Sequence, residues 1–183
     1  MKGVKAELIQ NKIVIWDPTE GMKIYRLGFF GKPMGVPKPR EGQEFETPLI
    51  LDPLEGLYLA EKGSIEVIGP NDRPMTVRGL KAWARRTYAD FDIKYAVYKD
   101  LRERGYVILP GIKYGCDFIA YERGPGVEHA PYMVQVKRSG ETISATEIVR
   151  AGRLATTVRK RFIIAMVSAK NRIRYLVFQW WRP

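Results

Sequence analysis

Short apolar segments separated by glycine, proline and helix-capping residues occur along the whole of this 183-residue chain. None of them reaches the roughly 18 residues that a membrane-spanning helix needs, so they must pack against one another as short strands and helices. A hydrophobic fraction of 45% is enough to bury one core or two small ones. The order of the elements predicts an α/β protein with two domains, a small mixed α+β domain over residues 1–87 and an α/β domain over residues 88–183 with a central mixed sheet.

The first half of the chain alternates β-rich runs with helical ones. An antiparallel sheet is predicted from strands at residues 5–9, 12–16 and 22–30, with a turn at residues 17–21 and a later strand at residues 64–68. Asp52 and Pro53 provide a cap and a first-turn proline for one helix, which Gly63 ends. A second helix is predicted over residues 76–86, and its inward-facing residues are Val77, Leu80, Trp83 and Ala84. Residues 31–47 are rich in proline and glycine, which favours a long ordered surface loop.

The second half has the pattern of an α/β domain. A helix over residues 92–104 is followed by three predicted strands, at residues 106–109, 117–121 and 132–136. Ser144 and Glu147 form a capping box that opens a helix to about Arg161. The buried stripe expected for this helix comprises Ile148, Ala151, Ala155, Val158 and Phe162, and its basic face carries Arg150, Arg153, Thr157 and Lys160. A β-hairpin is predicted from strands at residues 162–167 and 173–179, with its loop at residues 169–172.

The positive charge of the chain is concentrated in its second half. The formal net charge is +11, and Lys and Arg minus Asp and Glu give 14 − 11 = +3 for residues 1–87 and 17 − 9 = +8 for residues 88–183. Residues 148–183 contain nine Lys or Arg and no acidic residue. This charge predicts that the second half binds a polyanion, and a nucleic acid is the leading candidate.

The chain contains one cysteine, Cys116, and one histidine, His129. No intramolecular disulfide and no Cys/His metal cage can therefore form within it, and we expect neither a structural metal nor a cofactor. The N-terminus also lacks the apolar core of a signal peptide, so a cytoplasmic location is expected.

The single histidine is one of three residues whose chemistry suits metal-free RNA cleavage. In that reaction the 2′-hydroxyl attacks its own phosphate, with a base for the hydroxyl, an acid for the leaving 5′-oxygen and a cation for the charged phosphorane. Tyr121 ends a predicted strand, His129 lies in the Gly/Pro-rich loop that follows, and Lys160 lies on the basic helix face. Each also has an ordinary interpretation, as a packed strand-end tyrosine, a solvated loop histidine and a solvated surface lysine.

Four ordered segments of the second half resemble the catalytic domain of archaeal tRNA-splicing endonucleases. They are Tyr98-Lys-Asp-Leu-Arg-Glu-Arg-Gly-Tyr106, Gly111-Ile-Lys-Tyr-Gly-Cys-Asp-Phe118, His129-Ala-Pro-Tyr-Met-Val134 and Arg153-Leu-Ala-Thr-Thr-Val-Arg-Lys-Arg161. Residues 49–63 also resemble the N-terminal domain of that family, so the similarity extends over nearly the whole chain. The resemblance implies a restriction-endonuclease-like second domain.

The resemblance implies a role for each candidate residue. Tyr121 would be the general base, His129 the general acid and Lys160 the residue that stabilises the transition state. The family cleaves precursor tRNA at bulge-helix-bulge motifs without a metal, giving 2′,3′-cyclic phosphate and 5′-hydroxyl ends. A flipped-out bulge base would be held between Arg153 and Trp180.

Two further features of the resemblance concern substrate and assembly. Residues 31–47, with Lys32, resemble an insertion that contacts RNA in some members. Members that assemble by themselves carry acidic residues in the hairpin loop after the catalytic lysine, whereas residues 169–172 here are Ala-Lys-Asn-Arg. The resemblance therefore implies a hetero-tetramer, with two copies of this chain and two of a homologous structural subunit that supplies the acidic loop.

Two alternative functions remain open from the sequence. Asp117, Gln135 and Lys137 resemble the layout of a metal-dependent restriction-type nuclease, although a glutamine stands where a metal-binding carboxylate is expected. The other alternative is a catalytically silent RNA-binding or structural subunit, and the presence of the three candidate catalytic residues argues against it.

Overall fold

The computed structural model describes residues 3–36, 42, 44–157 and 161–178, without the side chains of residue 150 and residues 154–157. The chain divides into two compact units, Met1–Phe91 and Asp92–Pro183. Each unit contains one five-stranded sheet with both parallel and antiparallel neighbours, together with α-helices. This is the mixed α/β architecture that the sequence predicts.

The sheet of the first unit consists of short strands. They are β1 (Val4–Ile9), β2 (Lys12–Ile15), β3 (Lys32–Pro33), β4 (Leu49–Leu51) and β5 (Ile65–Ile68). Their order across the sheet is β3-β4-β2-β1-β5. The neighbours β1 and β2 pair antiparallel as predicted, whereas β1 and β5 pair parallel. The fully buried side chains of its core include Ile13, Ile15, Leu49, Leu51, Leu54 and Leu57.

A helix, α1 (Pro18–Arg26), occupies the segment predicted as a turn followed by a strand, residues 17–30. The Asp17 carboxylate caps this helix by accepting the N–H of Thr19 at 2.8 Å and that of Glu20 at 3.3 Å. The buried residues of the helix are Gly21, Ile24 and Tyr25. Their spacing is helical, so the strand prediction was wrong: the Asp-Pro pair interpreted as a turn begins a helix instead.

The two helices predicted for this unit are confirmed as α2 (Pro53–Glu61) and α3 (Val77–Thr87). Leu80, Trp83 and Ala84 of α3 are buried as predicted. The prediction was wrong for Val77, which is 41% exposed because it lies at the first position of the helix, before the buried face begins.

The buried carboxylate of Glu55 joins α2 to the chain before it. Glu55 is only 5% exposed. One carboxylate oxygen accepts the N–H of Asp52 at 3.0 Å, which completes a capping box, and the other accepts the N–H of Gly31 at 2.9 Å. Gly31 has a φ of 77°, and a Cβ there would lie 2.9 Å from the Ile50 carbonyl oxygen. The Glu55 carboxylate thus fixes the backbone at Gly31, where the loop of residues 31–47 begins. The positive φ and the nearby Ile50 carbonyl require glycine at this position.

The described residues of the second half of the chain form five strands and two α-helices. They are α4 (Phe91–Glu103), β6 (Val107–Pro110), β7 (Phe118–Tyr121), β8 (Tyr132–Arg138), α5 (Ala145–Thr157), β9 (Arg161–Val167) and β10 (Ile173–Phe178). The sheet order is β10-β9-β8-β7-β6, and β8 and β9 are parallel while the other neighbours are antiparallel. A short 3-10 turn, Ile112–Tyr114, lies between β6 and β7.

The predicted capping box of α5 is confirmed. The Glu147 N–H donates to Ser144 Oγ at 3.1 Å, and the Ser144 N–H donates to Glu147 Oε2 at 2.9 Å. The prediction that this helix continues to Arg161 and buries Phe162 on its apolar stripe was wrong, because both residues lie in β9. Their backbones pair with β8, and Phe162 is buried by the sheet. Residues 158–160 lie outside the described part of the chain.

In the part of the chain that the structure describes, no helix is long and apolar enough to cross a membrane.

We predict that Glu55→Ala lowers the free energy of unfolding by about 2–3 kcal/mol. The change removes half of the capping box and leaves two backbone N–H groups of a buried region without their acceptor. Guanidinium denaturation of the variant and of Glu46→Ala, a change at an exposed glutamate of the same unit, measures the effect. Glu46→Ala should alter stability by less than about 0.5 kcal/mol. Equal small effects of the two changes would contradict the role of Glu55.

Candidate active site

The topology of the second unit brings three chain segments to one edge of its sheet. β7 ends at Tyr121, antiparallel to β8, so the beginning of β8 lies beside the end of β7. β9 runs parallel to β8, and its first residue, Arg161, pairs with Tyr132. The end of one strand and the beginnings of two others therefore meet there. This sheet edge carries Tyr121, the loop containing His129 and the chain that follows Lys160.

Tyr121 is partly buried at that edge and packs against a core cluster. The buried members of the cluster are Cys116, Ile119, Ala130, Met133, Phe162 and Ile164. Burial raises the pKa of the Tyr121 phenol above its ordinary value, and Tyr114 and Glu128 add to the rise. These described neighbours therefore favour the protonated phenol, whereas a general base needs cations nearby. Lys160, the candidate cation of the site, lies outside the described residues.

His129 is exposed in the loop between β7 and β8. The residue after it, Ala130, is only 4% exposed and belongs to the core cluster, so the backbone is anchored directly beside an accessible imidazole. The loop ends at Pro131, whose carbonyl oxygen accepts the Arg161 N–H at 2.8 Å. The histidine loop is thus hydrogen-bonded to the residue that follows Lys160.

A second contact closes the same loop near its base. The Tyr132 hydroxyl donates to Glu122 Oε1 at 2.9 Å, which links the first residue of the loop to the first residue of β8. The Arg161 guanidinium lies 5.9 Å from the centre of the Tyr132 ring. Sequence reasoning missed both acidic residues of this loop, Glu122 and Glu128. The available signal was their position in a Gly/Pro-rich segment. Such a segment has few other side chains that could order the loop.

The remaining predicted site residues are not all at this edge. Arg153 lies on α5 and is exposed, and Lys32 is exposed in β3 of the first unit. Trp180 and Lys160 lie outside the described residues.

The carboxylate of Asp117, which suggested a metal-dependent nuclease, is occupied by hydrogen-bond donors. Asp117 Oδ2 accepts Gln135 Nε2 at 2.6 Å and the Val136 N–H at 2.7 Å. Its other oxygen lies 3.0 Å from Lys94 Nζ. Among the described residues, no group of three or more His, Cys, Asp or Glu side chains could hold a metal ion. Asp117 thus ties the start of β7 to β8 and α4.

Comparison with known proteins gives matches over both halves of the chain. The family model described as the tRNA intron endonuclease catalytic C-terminal domain matches residues 91–175, and the N-terminal domain of the same family matches residues 4–81. Together the two matches span both structural units.

Full-length relatives agree with these matches. The chain is 46% identical over 181 residues to a tRNA-splicing endonuclease of Hyperthermus butylicus, with 98% of this chain and 99% of that protein covered. It is 41% identical over 175 residues to a tRNA-splicing endonuclease of Sulfurisphaera tokodaii, covering 95% and 97%. A protein of the same name from Saccharolobus islandicus is 40% identical over 178 residues, covering 97% and 98%. The resemblance drawn from the sequence is thus confirmed, and the chain belongs to the tRNA intron endonuclease family.

Proposed function

We propose that this chain is the catalytic subunit of an endonuclease that excises introns from precursor tRNA at bulge-helix-bulge motifs. Cleavage needs no metal and leaves 2′,3′-cyclic phosphate and 5′-hydroxyl ends. The observation that supports this most is the sheet edge where Tyr121, the loop of His129 and the beginning of β9 meet. A base, an acid and a cation from three segments of the chain can act there on one phosphate.

The reaction is an in-line transfer within the RNA. Tyr121 takes the proton of the 2′-hydroxyl, whose oxygen attacks the adjacent phosphorus. The bond between phosphorus and the 5′-oxygen breaks, and His129 gives that oxygen a proton. Lys160 stabilises the negative charge of the pentavalent transition state.

Because the pKa of Tyr121 is raised, Tyr121 needs Lys160 nearby to act as a base. A partly buried phenol with a raised pKa is protonated at neutral pH, so Tyr121 accepts a proton only if a cation stabilises its ionised form. We assign both tasks to Lys160: it lowers the cost of the phenolate and it stabilises the phosphorane.

Residues other than Tyr121, His129 and Lys160 bind the RNA. Arg153 is exposed on α5, and a guanidinium and the indole of Trp180 can stack on either side of an extruded bulge base, worth about 1–3 kcal/mol for each stacking contact. Lys32 contacts the RNA backbone from the first unit.

We also propose that the second domain, residues 88–183, has the restriction-endonuclease-like fold and that residues 1–87 form the N-terminal domain.

The assembly proposed is a hetero-tetramer of two copies of this chain and two of a homologous structural subunit. Residues 169–172 form the exposed loop of the β9–β10 hairpin, where the Ser168 N–H donates to the Arg172 carbonyl at 2.9 Å. Lys170 and Arg172 make this loop cationic. Self-assembling members of the family carry an acidic loop at this place, so we assign the acidic loop here to the other subunit.

We predict that His129→Ala slows single-turnover cleavage by roughly 100- to 10,000-fold, the range expected for loss of a general acid, with RNA affinity changed by less than about threefold. Rapid-quench assays at saturating enzyme, with the second subunit present, measure the rate, and filter binding measures the affinity. Ser139→Ala, at the opposite end of β8, serves as the control and should cleave at the wild-type rate. A His129→Ala enzyme that cleaves within threefold of the wild-type rate would remove His129 from the mechanism.

We predict that the purified chain is a dimer or smaller and cleaves weakly or not at all. Adding a homologous subunit with an acidic hairpin loop should give a complex with two copies of each chain and full activity. Light scattering with parallel cleavage assays tests this. A fully active homotetramer of this chain alone would overturn the assembly while leaving the catalytic residues as assigned.

A further inference from the structure

The carboxylate of Glu128 folds back onto the backbone of its own loop. Glu128 Oε1 accepts the Arg123 N–H at 2.6 Å, and Oε2 lies 3.9 Å from Arg123 Nε. The Glu128 side chain is only 14% exposed, whereas that of Arg123 is 71% exposed. The main contact of this carboxylate is therefore with the main chain, since the arginine head is largely in solvent.

Neighbouring backbone groups converge on the same carboxylate. The pKa of Glu128 is held below its ordinary value, first by the Arg123 N–H and then, against the opposing effect of burial, by the N–H groups of Glu122 and Gly124. The Arg123 N–H, at 2.6 Å from Glu128 Oε1, is the hydrogen bond that fixes the carboxylate on the loop backbone. The Glu128 N–H also donates to the Gly124 carbonyl at 3.3 Å, and Pro125 and Glu128 form an isolated β-bridge.

The hydrogen bond from the Arg123 N–H to the Glu128 carboxylate is called the Glu128 clamp here. Its position in the sequence relates it to the proposed chemistry. The N–H that Glu128 accepts belongs to Arg123, two residues after Tyr121, and Glu128 is the residue directly before His129. On the far side of His129, Ala130 is buried in the core cluster. His129 is thus exposed between two anchored neighbours, one held by a carboxylate and the other by packing.

We propose that Glu128 is a positioning residue for cleavage: its carboxylate holds the loop so that His129 is fixed relative to Tyr121. This inference rests on the proposed function, in which those two residues are acid and base. General acid catalysis depends on the distance from the acid to the leaving oxygen, and a displacement of about 1 Å costs on the order of 100-fold in rate. Glu128 does not touch the reacting atoms and acts through the backbone that carries His129.

Three substitutions of Glu128 test whether cleavage depends on the presence of the side chain, on its length or on its charge. Glu128→Ala removes the acceptor and leaves the N–H groups of the loop without it, and we expect single-turnover cleavage to fall by roughly 10- to 100-fold. Glu128→Asp is too short to reach the Arg123 N–H and should lose nearly as much. Glu128→Gln keeps an oxygen at the right distance, so it should recover most of the rate. RNA affinity should stay within about threefold throughout, because no group in contact with RNA has been removed.

A matched control is available at the opposite end of β8. Glu141 lies in the turn after that strand, and its Oε1 is 3.7 Å from Arg138 Nε. Glu141→Ala also removes a glutamate from a turn with an arginine neighbour, but it is remote from the sheet edge of the site. It should cleave at the wild-type rate.

A double-mutant cycle with His129→Ala decides whether Glu128 acts through the histidine. All variants are assayed under single turnover on a bulge-helix-bulge RNA, with the second subunit present, and their thermal unfolding is recorded. If Glu128 positions His129, then Glu128→Ala adds less than about twofold to the loss already caused by His129→Ala. Equal losses in the two backgrounds, or a Glu128→Ala rate within threefold of the wild type, would overturn the proposal.

The same cycle distinguishes failure of this inference from failure of the proposed function. A large loss in His129→Ala with none in Glu128→Ala overturns only the positioning role. Wild-type cleavage by His129→Ala overturns the acid assignment and the positioning role with it. If Glu128→Ala unfolds at the assay temperature, the comparison of Glu128→Gln with Glu128→Asp carries the test, and equal rates for these two variants would contradict the proposal.

Discussion

The parallel pairing of β8 and β9 is the constraint on which the candidate site depends. Every other neighbouring pair in that sheet is antiparallel. Parallel neighbours cannot be joined by a hairpin, so the chain must cross back over the sheet, and the connection contains α5. This crossover returns the chain to the edge where β7 ends and β8 begins. An antiparallel β9 would begin at the other edge, and Arg161 would lie far from the histidine loop.

The crossover also explains why basic residues and the proposed catalytic residues share this part of the chain. The segment from α5 to the hairpin contains the cationic residues to which we assign RNA binding, and hydrogen bonds fix where α5 and β9 begin. The Ser144–Glu147 capping box sets where α5 begins, and the Arg161–Pro131 hydrogen bond sets where β9 begins. By contrast, the carboxylate of Asp117 is surrounded by donors, and its charge serves the packing of the sheet.

The sequence was sufficient to predict most elements but not the contacts that position the site. Helix α2 and the capping box of α5 were predicted correctly because their signals are local, lying within four residues of the helix start. Helix α1 was missed because Asp17-Pro18 begins both turns and helices, and only burial of Ile24 and Tyr25 distinguishes them. The end of α5 was placed too late because Phe162 suits a helical stripe as well as a strand, and its pairing with β8 is a long-range interaction. The Glu128 clamp depends on a fold of the loop that no periodicity reveals.

The central claim is that Tyr121, His129 and Lys160 cleave RNA at this sheet edge without a metal ion. It is tested most directly by incubating the assembled enzyme with a bulge-helix-bulge RNA in excess EDTA, in enough monovalent salt to keep the RNA folded, and analysing the product ends. We predict an undiminished single-turnover rate, with 2′,3′-cyclic phosphate and 5′-hydroxyl ends. Loss of cleavage that Mg²⁺ restores, or products with 5′-phosphate and 3′-hydroxyl ends, would contradict that claim.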